Sequence, residues 1–209
     1  LGYHSIVTDN DYSTMLGPYK ELSCPLSRFR IQMMFLRARY QIVSMDTLVE
    51  HLNFERPGFV VALTFDDGYI DNYSCALPIL EELQIPATFF VATRFPEGNT
   101  KMWWFDLWNE IYRRDNVEAL NQGRQINFST KSLLEKRSCY QKLKKIAIEL
   151  PEKDVWQWLA EIKNNVSPLE FPELVCNWDN LGRISASPLM SIGAHSHNHC
   201  VLSLCTRAE

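Results

Sequence analysis

Short apolar runs alternate with longer amphipathic stretches along the first part of the chain. Residues 59–65 (Phe-Val-Val-Ala-Leu-Thr-Phe) are almost continuously apolar, and so are residues 87–92 (Ala-Thr-Phe-Phe-Val-Ala). Runs of this length and composition are typical of strands that are covered on both faces, as in a parallel sheet. Two shorter runs, at 3–7 and 42–43, predict two further strands.

Helical spacing predicts helices between these strands. Apolar residues recur at helical intervals over 26–39 and 72–83, and Ser44 is a suitable cap for a helix that continues to Leu52. Strands that alternate with helices at such short intervals predict βαβ units. We therefore expect an α/β fold built on a parallel sheet or barrel.

The region 98–167 has a different character, because it is richer in Lys, Glu, Trp and Asn. We interpret it as a helical insertion between two strands of the main fold, with helices predicted over 104–113, 133–150 and 154–164. The spacing of Trp103, Trp104 and Trp108 favours the buried side of the first of these helices, with stacking on sugar rings as the alternative. After the insertion we predict a helix over 178–186 and a strand over 189–194.

Composition narrows the class of protein. With 209 residues, 46% hydrophobic and 22% charged, the chain is long enough for one good-sized core, and its composition is that of a globular protein. The net charge of −4 argues against a nucleic-acid partner, which would normally require a basic face. No apolar run approaches the roughly 18 residues of a membrane span.

The segment Thr64-Phe-Asp66-Asp67-Gly68-Tyr69 directly follows a predicted strand. Adjacent carboxylates repel each other unless a cation or a proton lies between them. The placement of such a pair at the end of a strand therefore needs an explanation. Asp-Gly is also common in turns. For this hexapeptide alone, a surface turn and a functional site both remain open.

A second cluster, Gly193-Ala-His195-Ser-His197-Asn-His199, follows the last predicted strand and holds three of the five histidines. His195 and His199 are four residues apart, so they share one face if the backbone coils after the strand. Two neutral imidazoles and one carboxylate form the ligand set of a catalytic metal with an open position. A solvated histidine-rich turn is the alternative.

The two clusters are expected to meet, because the carboxyl ends of parallel strands lie at one face of an α/β barrel, where such folds carry their sites. Together they supply two imidazoles, one ligand carboxylate and one carboxylate that stays free as a base. That combination is sufficient for metal-assisted hydrolysis.

These two segments resemble the first two motifs of the polysaccharide deacetylases, the NodB-homology or carbohydrate esterase 4 family. Thr64-Phe-Asp-Asp-Gly-Tyr69 is similar to the first motif, and His195-Ser-His-Asn-His199 matches the second, H-[ST]-x-x-H. The flanking segments at 3–6, 76–80, 86–91 and 192–195 are similar to the family as well. The resemblance spans 1–97 and 172–205 and leaves out the insertion.

The resemblance implies that Asp67, His195 and His199 bind one divalent metal ion, usually zinc, with cobalt or nickel as alternatives. It implies that Asp66 is the general base, that no organic cofactor takes part, and that the substrate is an N-acetylated or O-acetylated oligo- or polysaccharide. The fold it implies is a distorted (β/α) barrel, here a single domain over 1–209 with the insertion at about 98–167.

Roles can also be expected for other residues in and around the two motifs. The resemblance implies that Ser196 orients His199 and that His197, at a variable position of the motif, is not a ligand. His4 follows the first predicted strand and lies at the barrel mouth near the metal or, alternatively, in the core. Cys200 stands where the family commonly has proline, and with Cys205 it is expected to be a buried structural thiol rather than a ligand.

The chain also departs from the family pattern. In the family, Arg-Pro, Asp-Trp and Leu-x-x-His motifs follow the second motif, and the last of them carries the general acid; none of the three follows His199 in this sequence. We therefore expect a fragment of a longer protein whose barrel is truncated at its C-terminus. Two alternatives stay open: an inactive metal- or carbohydrate-binding domain, and a hydrolase of a non-sugar amide on the same scaffold.

The six cysteines are scattered without CxxC spacing, which favours unpaired thiols in a reducing compartment. Between bacterial cytoplasm and cell envelope, this gives a slight preference for the cytoplasm. The chain begins with neither Met nor a signal-peptide pattern, so a removed signal or anchor stays open. The sequence leaves the oligomeric state undetermined.

Overall fold

The computed structural model describes residues 1–54, 58–121, 123–164 and 166–205. The chain divides into two compact units. The first consists of Leu1–Thr100 and Pro172–His199, and the second of Lys101–Phe171 together with the described residues after His199. In the described part of the chain, no helix is long and apolar enough to span a membrane.

Ten strands and nine α-helices are present in the described residues. The strands are β1 (Gly2–Tyr3), β2 (Ser5–Val7), β3 (Ser23–Pro25), β4 (Gln41–Ile42), β5 (Val60–Val61), β6 (Thr64–Phe65), β7 (Ala87–Val91), β8 (Asn116–Asn121), β9 (Arg124–Ser129) and β10 (Met190–Ala194). The helices are α1 (Asp9–Thr14), α2 (Pro18–Leu22), α3 (Leu26–Arg39), α4 (Met45–Asn53), α5 (Leu77–Glu82), α6 (Trp103–Arg113), α7 (Leu133–Ala147), α8 (Glu152–Ile162) and α9 (Trp178–Ser185). A π-helix covers Asn72–Ala76, and short 3-10 helices cover Pro172–Leu174 and Leu202–Leu204.

The first unit is built on parallel strands. Strands β1, β6, β7 and β10 form one sheet in that order, and β2 with β3 and β4 with β5 form two further parallel pairs. The predicted α/β class is therefore confirmed. Because the described strands of the first unit form one sheet and two separate pairs, the closed barrel stays a prediction.

The apolar run at 59–65 is two strands rather than the single one predicted. Strand β5 pairs with β4, whereas β6 pairs with β1 and β7, and the chain changes partners at the buried residues Ala62 and Leu63. Phe59, the first residue of the run, is exposed. A continuous apolar run predicts burial, but it does not specify which neighbour each residue pairs with.

The helix predicted over 72–83 also divides, into the π-helix Asn72–Ala76 and α5. Pro78 lies in the first turn of α5 and has no backbone N–H, so the regular hydrogen-bond ladder cannot run through it from the preceding turn. A π-helical turn accommodates this interruption directly after the first motif.

Aromatic side chains hold the central strands together. The rings of Phe65 on β6 and Phe89 on β7 are stacked with centroids 4.8 Å apart, and Phe29 of α3 meets Phe65 edge-on at 6.0 Å. All three side chains are fully buried in the core of the first unit. This packing fixes the carboxyl end of β6, from which the first motif emerges.

The second unit contains α6, α7 and α8 as predicted, but it also contains an antiparallel hairpin of β8 and β9. The predicted helical insertion therefore contains a β-hairpin as well, which the sequence analysis did not predict. Val117 and Ala119 of β8 are buried and alternate with exposed neighbours, which is the pattern of a half-buried strand. Trp104 and Trp108 are buried on α6, which confirms the core assignment of that helix face.

A buried ion pair lies inside the second unit. Lys163 Nζ lies 2.8 and 2.7 Å from the two carboxylate oxygens of Asp106 and also donates to the carbonyl of Ser167 at 2.8 Å. The backbone N–H of Leu169 donates to the same carboxylate at 3.1 Å. The pair therefore ties the chain that follows α8 to α6.

All six cysteines lie in the described residues, and none of them forms a disulfide there. Cys139 and Cys176 are buried, and burial raises the pKa of each thiol to about 12. The other four are half-buried, including Cys200 and Cys205, whose sulfur atoms lie 3.1 Å apart. The expectation that Cys200 and Cys205 are buried was therefore wrong.

Candidate metal centre

The two motifs meet at one edge of the four-stranded sheet. Strand β6 ends at Phe65 and is followed by Asp66 and Asp67, and β10 ends at Ala194 and is followed by His195. Both strands run parallel to β7, which lies between them. The carboxyl ends of all three strands therefore point to the same edge, as the sequence predicted.

Three of the predicted site residues converge there. Asp67 Oδ1 lies 2.8 Å from His199 Nε2 and 3.4 Å from His195 Nε2, and one ligand atom from each residue falls within a 4.8 Å cluster. The Asp67 side chain is buried, whereas the two imidazoles are partly exposed. The cluster is thus closed on the carboxylate side and open to solvent on the imidazole side.

The cluster fits a metal ion better than it fits a set of hydrogen bonds. Asp67 Oδ1 is buried and accepts no hydrogen bond from any residue that the structure describes, although two imidazole nitrogens lie at ion-pair distance. A buried carboxylate oxygen without a partner is costly, and a cation at the point where the three atoms converge would remove that cost. Two imidazoles and one carboxylate are a ligand set typical of zinc with an open coordination position.

The charged groups of the cluster shift one another's pKa values. Burial alone would raise the pKa of Asp67, but the imidazoles of His195 and His199 outweigh it and hold the pKa well below its ordinary value. Asp67 in turn raises the pKa of His195 above its ordinary value, although partial burial opposes this, and Asp66 contributes a smaller attraction. The carboxylate therefore stays ionised and the imidazole binds protons more strongly.

The backbone of the cluster adopts a conformation that L-residues rarely take. Asp67, Ser196 and His199 have φ angles of 73°, 61° and 57°, and they are three of the five non-glycine residues with positive φ in the described chain. Such residues cost free energy and persist where the surrounding structure enforces them, commonly at functional sites. This concentration is a second, independent indication that the edge is a site.

Both the room available for a side chain and the backbone φ angle require glycine at position 68. Its φ is +83°, and a Cβ atom placed there would lie 2.9 Å from Val91 Cγ1 on β7. A side chain at this position would therefore push β7 away from the first motif.

Comparison with known proteins agrees with this geometry. The sequence profile of the family described as Polysaccharide deacetylase matches residues 54–209, which is more than half of the chain and contains both motifs.

The chain belongs to the polysaccharide deacetylase family. A solved de-N-acetylase from Aggregatibacter actinomycetemcomitans is similar to it at 17% identity and a TM-score of 0.53, over 95% of this chain and 54% of that chain. This likeness shows a common fold. No curated protein matches the sequence significantly.

Two further solved structures are similar. IcaB from Ammonifex degensii has 17% identity and a TM-score of 0.49, over 94% of this chain and 52% of that one. Deacetylase PplD from Streptococcus pyogenes, solved in complex with acetate, has 30% identity and a TM-score of 0.40, over 46% of this chain and 43% of that one. This deacetylase-family chain spans about half the length of the solved relatives to which it is similar.

In this member of the family, the second motif is anchored to the residues that follow β7. His195 N–H donates to the Val91 carbonyl at 2.9 Å, and the N–H groups of Thr93 and Arg94 donate to the carbonyls of Ser196 and His197 at 3.3 and 3.2 Å. These bonds extend the parallel pairing of β10 with β7 beyond the last strand residue. They hold His195 in place from the backbone.

His197 and Ser196 lie outside the cluster of ligand atoms. His197 Nδ1 lies 2.9 Å from Thr93 Oγ1, and its Nε2 lies 3.9 Å from a carboxylate oxygen of Glu97. Ser196 Oγ is buried and has no hydrogen-bond partner in the described chain, so the expectation that it orients His199 was wrong.

His4 and Asp66 flank the cluster. His4 lies close enough for its charge to contribute to lowering the pKa of Asp67, which agrees with its expected place near the metal. Asp66 is half-buried, and its backbone N–H donates to the Tyr3 carbonyl at 2.9 Å. Strand β1 thus supports the first motif.

A buried polar network below the site was not predicted. The Asp71 carboxylate accepts hydrogen bonds from Ser5 Oγ at 2.5 Å, Tyr19 OH at 2.9 Å and the Ile6 N–H at 3.0 Å. Asn72 Nδ2 donates both to Asp71, at 3.0 Å, and to the His4 carbonyl, at 2.7 Å. The network joins the segment after the first motif to β2. Its signal in the sequence was two adjacent polar residues at the start of an otherwise apolar helix.

Proposed function

We propose that this chain is a metal-dependent hydrolase that removes acetyl groups from N-acetylated or O-acetylated sugars of a polysaccharide. The observation that carries the proposal is that one ligand atom each of Asp67, His195 and His199 lies within 4.8 Å of the other two, at one edge of the parallel sheet. Family membership supports acetyl hydrolysis, and the likeness to a de-N-acetylase favours an N-acetylated sugar.

Asp67, His195 and His199 would hold the ion, and their donor set favours zinc, with cobalt or nickel as alternatives. A divalent ion in this position would polarise the acetyl carbonyl and lower the pKa of a water molecule toward roughly 7. The burial of Asp67 and its low pKa keep the negative ligand ionised, and the partly exposed imidazoles leave a side open for substrate.

Asp66 would act as the general base. It directly precedes the ligand Asp67, it is partly exposed, and it lies close enough to His195 to act on that ring's charge. A carboxylate in this place can take the proton from the attacking water while Asp67 stays with the cation. The adjacent carboxylates thus have separate tasks.

We also propose that the parallel strands of the first unit belong to one distorted (β/α) barrel and that residues 1–209 form a single deacetylase domain with an insertion at about 98–167. The parallel pairing of β1, β6, β7 and β10, with helices between them, supports the barrel. The fold likeness to a deacetylase over 95% of this chain supports the single domain.

Release of acetate from N-acetylglucosamine oligomers, with zinc supplied, tests the activity. Asp67→Ala, His195→Ala and His199→Ala should each reduce release to background, and Asp66→Asn should reduce it by about 10²–10⁴-fold while metal binding is retained. His51→Ala, a substitution on α4 outside the cluster, is the matched control and should leave the rate unchanged. If wild-type protein with bound zinc released no acetate above the Asp67→Ala background, the chain would be a binding domain or a hydrolase of another amide.

A further inference from the structure

Helix α3 carries apolar residues on two opposite faces. Phe29 and Met33 point inward and are fully buried in the core of the first unit. Ile31, Met34 and Phe35 point outward and are 67%, 55% and 54% exposed, and Ala38 beside them is exposed as well. We call these four outward residues the apolar ridge. Their spacing of i, i+3, i+4 and i+7 places them on one continuous stripe.

A second apolar stripe on a helix normally has a partner. A helix that is hydrophobic all round is usually buried all round, either in a core or against another surface. The core of the first unit covers only the inner stripe of α3. The described chain therefore leaves the ridge uncovered.

Arginines lie on both sides of the apolar ridge. Leu26–Arg39 contains four arginines and no acidic residue, although the whole chain has a net charge of −4. At 100° per residue, Arg28 and Arg39 lie on one flank of the ridge, and Arg30 and Arg37 lie on the other. Arg30 is paired with Glu82 through two hydrogen bonds of 2.6 and 2.7 Å, whereas Arg28, Arg37 and Arg39 are exposed.

The aromatic end of the ridge is suited to an interface between an apolar and an aqueous phase. The Arg39 guanidinium lies 5.8 Å from the centre of the Phe35 ring, and the Phe35 and Tyr40 ring centroids are 6.4 Å apart. Arginine and tyrosine combine an apolar body with a polar tip, so they can follow apolar residues into an interface and keep their polar groups in water.

From these observations we infer that α3 docks on an anionic lipid surface, with the apolar ridge inserted between headgroups and the arginines at the lipid phosphates. The outward half of α3 would then lie in the membrane interface without spanning it, with its apolar residues at the acyl boundary and its basic residues at the headgroups. A second copy of the chain fits less well. A twofold contact between two ridges would bring the arginines of both copies together, and α3 has no acidic residue to offset them.

Flotation of the purified chain with lipid vesicles tests this inference. Wild-type protein should bind vesicles of phosphatidylcholine mixed with phosphatidylglycerol, bind vesicles of pure phosphatidylcholine at least about tenfold more weakly, and lose binding as salt is raised. Met34→Gln/Phe35→Gln removes apolar surface at constant charge, and Arg28→Gln/Arg37→Gln removes charge and keeps the ridge. Each double variant should weaken binding by roughly tenfold.

Matched controls lie on α7. Leu134→Gln removes an apolar side chain that is even more exposed than Met34 or Phe35, and Lys144→Gln/Lys145→Gln removes two positive charges. Both should change vesicle binding by less than about twofold, because the proposal places only α3 on the lipid. Since the substituted residues are exposed, apart from the half-buried Lys144, and Gln is a good helix former, the circular dichroism spectrum of each variant should match wild type.

Three outcomes would overturn the inference: absence of binding to anionic vesicles, equal binding to both vesicle types that Arg28→Gln/Arg37→Gln leaves unchanged, or a dimer in solution that Met34→Gln/Phe35→Gln converts to monomer. The last would assign the ridge to a protein interface. None of these measurements involves acetate release or metal, so their result is separate from that of the proposed function.

Discussion

The Nε2 atom of His199 lies 2.8 Å from Oδ1 of Asp67, a buried carboxylate oxygen that accepts no hydrogen bond within the described chain. His195 approaches the same oxygen at 3.4 Å. Residues far apart in the sequence thus bring one carboxylate oxygen and two imidazole nitrogens to one point. This arrangement is the basis for the proposed metal site.

Gly68→Ala should destabilise the protein by more than its backbone conformation alone explains. The new Cβ would lie 2.9 Å from Val91 Cγ1, and the φ of +83° adds strain of about 1 kcal/mol. Gly98→Ala is the matched control, since Gly98 has a φ of +95° with nothing within 4 Å. Thermal unfolding should show a larger loss for Gly68→Ala, by about 1–3 kcal/mol. Equal losses would mean that contact with β7 is not what requires glycine at this position.

Lys163→Met should be strongly destabilising, because it leaves the buried Asp106 carboxylate without its cation. We expect a loss of about 3–5 kcal/mol in denaturant unfolding, most of it recovered in Lys163→Met/Asp106→Leu. Arg30→Met, which breaks the exposed pair with Glu82, is the control and should cost far less stability than Lys163→Met. A double variant as unstable as the single one would show that the hydrogen bonds to Ser167 and Leu169, rather than the uncompensated charge, determine the loss.

Metal affinity should fall as the pH falls, and the fall should begin above pH 6.5. Asp67 raises the pKa of His195 above its ordinary value of 6.5, so in the metal-free protein His195 is protonated already above that pH and the proton competes with the metal. An NMR titration of the metal-free protein should place the His195 midpoint above 6.5, and Asp67→Asn should lower it. A midpoint below 6.5 in the wild type would contradict the ion-pair geometry of the cluster.

Much of the site was predictable because the end of an apolar run in the sequence predicts the end of a strand. The buried strand β7 and the histidines that directly follow β10 lie where the apolar runs placed them, and the parallel order brings both motifs to one edge. The change of strand partner between β5 and β6 could not be predicted, because hydrophobicity indicates burial and does not indicate which strand pairs with which. The left-handed backbone at Asp67, Ser196 and His199 was not readable either, since none of these residues is glycine.

The hairpin in the insertion and the buried polar network are two further features that the sequence did not predict. The hairpin of β8 and β9 alternates buried and exposed residues, but its strands contain many polar residues and were masked by the helical patterns around them. Asp71 gives no sign of its partners in the sequence, because Ser5 and Tyr19 reach it from distant parts of the chain. Likewise, the pattern of α3 predicted a helix but not that one apolar stripe would remain in solvent.

Elemental analysis of the purified chain after incubation with zinc and removal of unbound metal tests the central claim most directly. The wild type should retain about one equivalent, and Asp67→Ala/His195→Ala should retain none while keeping the wild-type circular dichroism spectrum. The control His51→Ala/Cys205→Ser should retain the same amount as the wild type. If the wild type retains no metal, or if the double variant retains as much as the wild type, Asp67 and His195 do not form the site and the account is contradicted.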